Sequence, residues 1–203
     1  MQMHTTIYLI RHGEPYNPNK IVYGRLPVPL TERGRQQITH LAEKLKRDQV
    51  SPDIIISSPL KRTIETTEEI KKIFPDAPVI YENDLQEYFG DFSDMTIDQF
   101  EALGNYYRAK ETLARNIEQP ESVIGRMLGV MEKALTAHKD KTIFLVSHGD
   151  PIMWLFWKLT NPHDEMPSPM ILHETHLLKQ GTALKLVIDE KGEMLSHEII
   201  TPY

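Results

Sequence analysis

The stretch that decides the fold is Thr5-Thr6-Ile7-Tyr8-Leu9-Ile10, followed directly by Arg11-His12-Gly13. The first six residues are β-branched, aromatic or aliphatic, and apolar side chains fall on both parities towards the end of the segment. This pattern is typical of a strand buried on both faces, as in a parallel sheet covered by helices. Reactive side chains that follow such a strand lie at its carboxyl end, where open α/β sheets bind their ligands.

The same alternation of strands and helices continues along the chain. A second buried strand is predicted over 53–57, further strands over 79–81 and 142–146, and a closing hairpin over 183–188 and 194–200. Helices are predicted over 31–45, 58–70, 96–115, 121–138 and 151–159. We therefore expect an α/β fold, a three-layer α/β/α arrangement with a mostly parallel central sheet. Residues 1–203 form one domain in this prediction, with a cap region around 90–125 and a loop at 160–182.

Composition narrows the function classes. The chain has 203 residues, 23 Lys and Arg against 29 Asp and Glu, a formal charge of −6, and no basic run, which argues against a nucleic-acid-binding protein. It has no cysteine, so disulfides, thiol catalysis and Cys-ligated metals are excluded. Neither a signal peptide nor a membrane span is evident, so we expect a soluble, cytoplasmic protein without membrane partners.

Three predicted strands end in residues that suit phosphate chemistry. Arg11 and His12 follow the first strand, and His148 follows the fourth. The second strand is followed by Ser57, Ser58 and Arg62. Guanidinium groups match phosphate oxygens, and a neutral imidazole among such cations can act as a nucleophile. The sequence therefore predicts a phosphate pocket, although from the residues alone His12 could also merely pack at a strand end.

Five ordered segments over residues 5–155 carry a family resemblance. They are Leu9-Ile10-Arg11-His12-Gly13-Glu14, Gly24-Arg25 with Pro29-Leu30-Thr31, Ser57-Ser58-Pro59-Leu60-Lys61-Arg62-Thr63, Leu85-Gln86-Glu87 with Phe89-Gly90-Asp91-Phe92, and Val146-Ser147-His148-Gly149. Together they resemble the motifs of the histidine phosphatase superfamily, the phosphoglycerate mutase-like proteins. Arg-His-Gly alone would be a weak signal, whereas the ordered set is strong.

The resemblance implies roles for particular residues. His12 would be the phosphohistidine nucleophile and Glu87 the proton donor and acceptor. The phosphoryl oxygens would be surrounded by Arg11, Arg62 and His148. Further contacts to a small phosphorylated substrate are expected from Asn17 or Asn19, Tyr23, Gly24, Arg25 and Gly149. No metal or other cofactor is required in this scheme, because cationic side chains take that place.

The sequence departs from the family pattern at four positions. Pro15 and Pro18 stand where the family often has Thr and Asn, and Pro27 stands where an Asp is common. Asp150 follows Gly149 where small neutral residues are usual, and it places a negative charge near the anion pocket unless it points away or pairs with a cation. These departures concern substrate choice more than catalysis.

The segment after Glu87 separates the possible activities. Mutases of this superfamily usually have a longer segment there, with basic and aromatic residues, whereas this chain continues Tyr88-Phe89-Gly90-Asp91-Phe92-Ser93-Asp94. The phosphatase branch is therefore favoured. A cofactor-dependent phosphoglycerate mutase and a phosphate-binding protein without turnover remain as alternatives, and the chain is expected to be a monomer or a homodimer.

Two other patterns have simpler interpretations. His173-Glu174-Thr175-His176 resembles a metal motif, but its histidines are three residues apart rather than four, so we interpret it as a polar loop near the mouth of the site. The apolar residues after His148 suit a helix packed on the sheet, with a dimer interface as the alternative. They are Met153, Trp154, Phe156 and Trp157.

Overall fold

The computed structural model describes residues 4–202 and contains a six-stranded sheet with helices on both faces. The strands are β1 (Thr5–Arg11), β2 (Ile54–Ser57), β3 (Val79–Tyr81), β4 (Thr142–Ser147), β5 (Ala183–Ile188) and β6 (Met194–Ile200). The helices are α1 (Glu32–Arg47), α2 (Lys61–Ile73), α3 (Ile97–Glu101), α4 (Lys110–Leu113), α5 (Pro120–Ala137), α6 (Gly149–Thr160) and α7 (Pro169–Thr175), with a short 3-10 helix at Asn83–Leu85.

The sheet confirms the predicted fold class. Its strand order is β3-β2-β4-β1-β5-β6. Strands β3, β2, β4 and β1 pair in parallel, whereas β5 and β6 add an antiparallel hairpin at one side. Because β1 and β4 are parallel neighbours, with Arg11 opposite Ser147, the residues that follow them emerge side by side at one edge.

Alternate residues of each central strand contribute to different layers. Ile7 and Leu9 of β1 pack into the larger hydrophobic cluster, which also contains residues of α5 and α6. Tyr8 and Ile10 pack into the cluster that contains residues of α1 and α2. Since successive side chains of a strand point to opposite faces, the strand needs apolar residues at every position. This is why the middle of β1, Ile7-Tyr8-Leu9-Ile10, is an unbroken apolar run.

Helix α1 begins where its N-cap predicts. The Thr31 hydroxyl accepts a hydrogen bond from the amide of Gly34 at 2.9 Å, which satisfies one of the free donors of the first turn. The apolar residues of the helix, Ile38, Leu41 and Leu45, are fully buried against the sheet. Helix α1 lies directly against the loop that follows His12.

The prediction of one long helix over 96–115 is wrong. Two short helices, α3 and α4, are joined there by turns, and Gly104 has a positive φ of 68°. Tyr106 and Tyr107 are both buried. In a helix, the side chains of consecutive residues point about 100° apart, so two adjacent rings would not both face one core. Irregular backbone instead allows both rings to enter the same core, and the Thr112 hydroxyl bonds the carbonyl of Tyr106.

The interpretation of 160–182 as loop also needs correction, because α7 lies inside it. Pro169 occupies the first turn, where a missing amide hydrogen is tolerated, and buried Leu172 anchors the helix. His173, Glu174 and Thr175 are therefore helical rather than part of a polar loop, and His176 ends the helix.

Helix α6 packs as predicted. Met153, Trp154, Phe156 and Trp157 are all buried within the chain itself, which accounts for the apolar run that follows His148. Across residues 4–202, no helix combines the length and the apolar composition that crossing a bilayer would require.

Candidate active site

His12 and His148 meet where β1 and β4 end. The amide of His12 donates to the carbonyl of Ser147 at 3.2 Å, which continues the sheet pairing for one more residue. The two imidazole rings are 5.3 Å apart, centre to centre, and both are buried. The predicted convergence of the two strand-end histidines is thus present in the structure.

His12 is held as a neutral imidazole. Its Nδ1 lies 2.7 Å from the carbonyl oxygen of Gly13, so Nδ1 carries the hydrogen and Nε2 keeps its lone pair. Burial lowers the pKa of His12 well below its ordinary value. The charges of Arg62 and Arg11 lower it further, and the bond to Gly13 opposes them only in part. Nε2 is therefore available as a nucleophile at neutral pH.

Gly13 is required by close packing rather than by backbone conformation. A Cβ at this position would lie 2.3 Å from the carbonyl oxygen of Gly34 in α1. The loop after β1 can therefore lie directly on the first turn of α1 only if Gly13 and Gly34 have no side chains. This contact fixes the main chain next to His12.

Arg62 is a fully buried cation in the first turn of α2. One of its terminal nitrogens donates to the carbonyl of Gly24 at 2.8 Å, and the guanidinium lies 4.9 Å from the centre of the Tyr23 ring. Its Nε has no hydrogen-bond partner. Loop residues thus cover Arg62 but leave its charge uncompensated.

Arg11 lies on the other side of the site. Its Nη1 donates to the carbonyl of Leu178, while its Nε is buried and has no partner. Gly149 lets the guanidinium lie close to the start of α6, because a Cβ there would be 3.0 Å from the Arg11 Cζ. Within residues 4–202, neither Arg11 nor Arg62 forms an ion pair with a carboxylate.

His148 is held by Ser58, one of the residues that the sequence predicts to converge at the strand ends. Its Nε2 is 2.8 Å from the hydroxyl of Ser58, which follows β2, and its Nδ1 is buried without a partner. Burial, then the charge of Arg62, lowers the pKa of His148 well below its ordinary value. The position of Ser58 at the end of β2 predicted its presence at this edge of the sheet, although not its contact with His148.

Glu87 is a buried carboxyl group with an unusual pKa. Burial, reinforced by the charge of Asp150, raises its pKa from 4.5 to about 7, while Arg62 acts in the opposite direction. Its Oε1 accepts from the amide of Tyr88 at 3.1 Å. A carboxyl group that titrates near neutral pH can both donate and accept a proton during one reaction cycle.

A second layer of residues fixes the segment that carries Glu87. Arg126 of α5 donates to the carbonyl of Gln86 at 2.6 Å and to the carboxylate of Glu118 at 2.8 Å. Arg25 donates to the carbonyl of Glu87 at 2.8 Å and to Glu118 at 3.0 Å. Neither Arg126 nor Glu118 lines the cavity of the site itself, and no sequence motif identified them.

The predicted substrate contacts divide into two groups. Tyr23, Gly24 and Gly149 line a cavity of about 150 Å³, together with Arg11 and Glu87. Arg25 instead holds the main chain of Glu87, and the side chain of Asn17 closes its own loop through two hydrogen bonds to Ile21, at 2.8 and 3.1 Å. Asn19 is exposed. Substrate contact by Asn17, Asn19 or Arg25 stays a prediction.

Asp150 pairs with the imidazole of His173, whose pKa it raises against the lowering effect of burial, and so takes one of the two arrangements left open above. Its Oδ1 lies 3.3 Å from Nε2 of His173, and its Oδ2 accepts from the hydroxyls of Tyr106 and Tyr107 at 3.0 Å each. Both tyrosines come from the cap region and were not predicted. His173 therefore faces Asp150, while His176 bonds the Thr175 hydroxyl. Within residues 4–202, no three His, Asp or Glu side chains cluster as metal ligands.

Comparison with known proteins agrees with this geometry. The family model described as "Histidine phosphatase superfamily (branch 1)" matches residues 7–182. Phosphoserine phosphatase 1 of Hydrogenobacter thermophilus is 32% identical over 75% of this chain and 75% of its own length. The uncharacterized phosphatase PhoE of Bacillus subtilis is 28% identical over 83% of this chain and 84% of its own.

A solved structure described as Bacillus stearothermophilus YhfR has the same fold. It superposes with a TM-score of 0.78 at 24% identity and covers 94% of each chain. The matched residues 7–182 include both strand-end histidines, Arg11, Arg62 and Glu87. The chain therefore belongs to branch 1 of the histidine phosphatase superfamily and is a phosphatase of the histidine phosphatase type.

Proposed function

We propose that the protein hydrolyses phosphomonoesters of small metabolites through a phosphohistidine intermediate, without a metal ion. The observation that carries this proposal is the pair of cations, Arg11 and Arg62, whose charges act on buried His12 and which have no carboxylate partner among residues 4–202. Burying an unpaired charge costs several kcal/mol, which makes a doubly charged phosphoryl group the fitting counter-ion.

In the first step, Nε2 of His12 attacks phosphorus with its lone pair while the bond from phosphorus to the ester oxygen breaks. Glu87, in its acid form, transfers its proton to the departing alkoxide, so the alcohol leaves neutral. Arg11 and Arg62 stabilise the charge that spreads over the equatorial oxygens. Nδ1 of His148 has no hydrogen-bond partner. In the tautomer that carries its hydrogen on Nδ1, His148 donates to a phosphoryl oxygen as well.

In the second step, a water molecule attacks phosphorus and the bond to Nε2 breaks. Glu87 is now a carboxylate, and it takes the proton that water loses. Inorganic phosphate leaves, and His12 and Glu87 return to their initial states. The raised pKa of Glu87, about 7, supports both transfers because neither protonation state is strongly disfavoured at neutral pH.

The charge of the cavity favours hydrolase over mutase activity. A phosphoglycerate mutase must hold a substrate carboxylate as well as phosphoryl groups, which requires additional cations. The cavity lining has Glu87, Glu101 and Asp150 as acids, and its cations are Arg11 and His173. His173 already contacts Asp150. The carboxylate of a phosphoglycerate in this cavity would therefore be repelled by the acidic side chains of the lining.

The test is hydrolysis of p-nitrophenyl phosphate in EDTA by the wild type and by His12→Ala. We expect the variant to lose turnover, because on this proposal no other side chain carries the phosphoryl group. His163→Ala, which removes an exposed histidine, is the matched control and should retain full activity.

Trapping of acid-labile phosphate on the protein is measured in parallel. Wild type should become labelled and His12→Ala should not. Substantial turnover by His12→Ala would refute the nucleophile assignment, and activity lost in EDTA but restored by a divalent metal would refute metal independence. Binding of phosphate without turnover would instead support the non-catalytic alternative.

A further inference from the structure

Three side chains hold the carboxylate of Asp150 in the wall of the cavity. The hydroxyls of Tyr106 and Tyr107 both donate to Oδ2, at 3.0 Å each, and Nε2 of His173 lies 3.3 Å from Oδ1. A carboxylate oxygen accepts about two hydrogen bonds. The acceptor positions of Oδ2 are therefore filled, whereas Oδ1 has room for one more donor.

These contacts also keep Asp150 ionised. Burial alone would raise its pKa, but the hydrogen bonds from His173 and the tyrosines, with the charge of His173, lower it below the ordinary value. Asp150 is only 9% exposed as a residue, and it lines the same cavity as Arg11 and Glu87. A fixed, largely dehydrated negative charge thus lies one residue from Gly149, against which Arg11 packs.

The rest of the cavity wall suits a small cationic group. Tyr23, Tyr88, Phe100 and Tyr106 supply aromatic lining, and Glu101 adds a second carboxylate. Aromatic rings together with a carboxylate are the side chains that hold ammonium groups. Once a phosphoryl group occupies Arg11, the remaining cation of the lining is His173, which Asp150 already engages.

We propose that Asp150 is a specificity-determining residue that selects phosphomonoesters of small amino alcohols, with their ammonium group donating to Oδ1. The inference deepens the proposed phosphatase activity and rests on it. Because Asp150 lines the same cavity as Arg11 and Glu87, the ammonium group and the phosphoryl group of such a substrate must lie close together. A substrate carboxylate in the same place would face Asp150 and be disfavoured.

Three phosphomonoesters of similar size test the proposal with the intact wild-type protein. Phosphoethanolamine ends in an ammonium group, propyl phosphate in a methyl group, and 2-phosphoglycolate in a carboxylate. At pH 7 the amine is protonated, since an alkyl amine titrates near pH 10. We expect kcat/KM for phosphoethanolamine to exceed that for propyl phosphate about tenfold or more, and 2-phosphoglycolate to be the poorest substrate.

Asp150→Asn removes the charge and should bring the ratio of kcat/KM for phosphoethanolamine over propyl phosphate close to one. The ratio is the readout because both substrates share the same chemical steps, so any general change in activity cancels. Tyr107→Phe is the matched control: it removes one hydroxyl but leaves the carboxylate, and the preference for the amine should persist.

Equal kcat/KM values for phosphoethanolamine and propyl phosphate in the wild type would overturn the proposal, as would a preference for 2-phosphoglycolate. An unchanged ratio in Asp150→Asn would overturn the role of that residue. If Asp150→Asn does not fold, the wild-type ranking alone decides. Turnover of p-nitrophenyl phosphate with none of the three esters hydrolysed refutes only the substrate class, whereas loss of p-nitrophenyl phosphate turnover as well refutes the phosphatase activity itself.

Discussion

Glu87→Gln should make the folded protein more stable at alkaline pH, although it removes the proposed proton donor. The pKa of Glu87 is raised from 4.5 to about 7 in the folded protein. The stabilising contribution of this carboxyl is therefore complete below about pH 4.5 and is lost as the pH rises through about 7. Glutamine does not titrate, and it retains an acceptor for the amide of Tyr88.

The magnitude follows from the difference between the two pKa values. The difference of 7 − 4.5, about 2.5, corresponds to about 3 kcal/mol at 1.36 kcal/mol per pKa unit. Between pH 5 and pH 8, the free energy of unfolding of Glu87→Gln should rise relative to wild type by about 2.5 kcal/mol. With a urea dependence of about 2–3 kcal/mol per molar, the midpoint would shift by about 1 M.

The assay is urea unfolding of both proteins at pH 5 and pH 8, followed by circular dichroism. Glu43→Gln, on the exposed side of α1, is the control and should show no such dependence. If the difference between Glu87→Gln and wild type is the same at both pH values, Glu87 is not a buried acid with a raised pKa. The double use of this carboxyl in catalysis would then lose its physical basis.

Three further outcomes are expected. Glu87→Gln should slow hydrolysis of an alkyl phosphate about 100-fold or more and that of p-nitrophenyl phosphate far less, because a good leaving group needs little protonation; equal losses would remove Glu87 from the proton-donor role. Gly149→Ala should lower kcat/KM about tenfold or more by displacing Arg11, whereas Gly125→Ala, with open space around its Cβ, should leave kcat/KM unchanged. Thr31→Ala should destabilise the protein by about 1 kcal/mol in urea unfolding through loss of the α1 N-cap, and an unchanged midpoint would contradict the importance of that cap.

The sequence was sufficient to predict the parts of the site that follow buried strands. An apolar run such as 142–146 identifies its own strand, and parallel pairing then brings the next residues to the same edge. His12 and His148 could therefore be placed together without knowledge of the helices. Arg62 was predictable for the same reason, since it lies in the first turn after β2.

The parts that could not be predicted depend on contacts between distant segments. Tyr106 and Tyr107 reach Asp150 across more than forty residues, and His173 reaches it from a helix that the sequence analysis interpreted as loop. Local propensity carries no information about such contacts. It also favoured one helix over 96–115, where burial of two adjacent aromatic rings requires irregular backbone.

The position of β1 within the sheet constrains how the protein is made. This strand lies between β4 and β5, so Thr6 pairs with Thr142 on one side and with Val187 on the other, both more than 130 residues later in the sequence. During synthesis both edges of β1 stay unpaired until most of the chain has left the ribosome, which exposes an apolar segment that could pair with other chains. Such long-range pairing is also slow to form. Nascent chains that stop before β4 should therefore depend on chaperones.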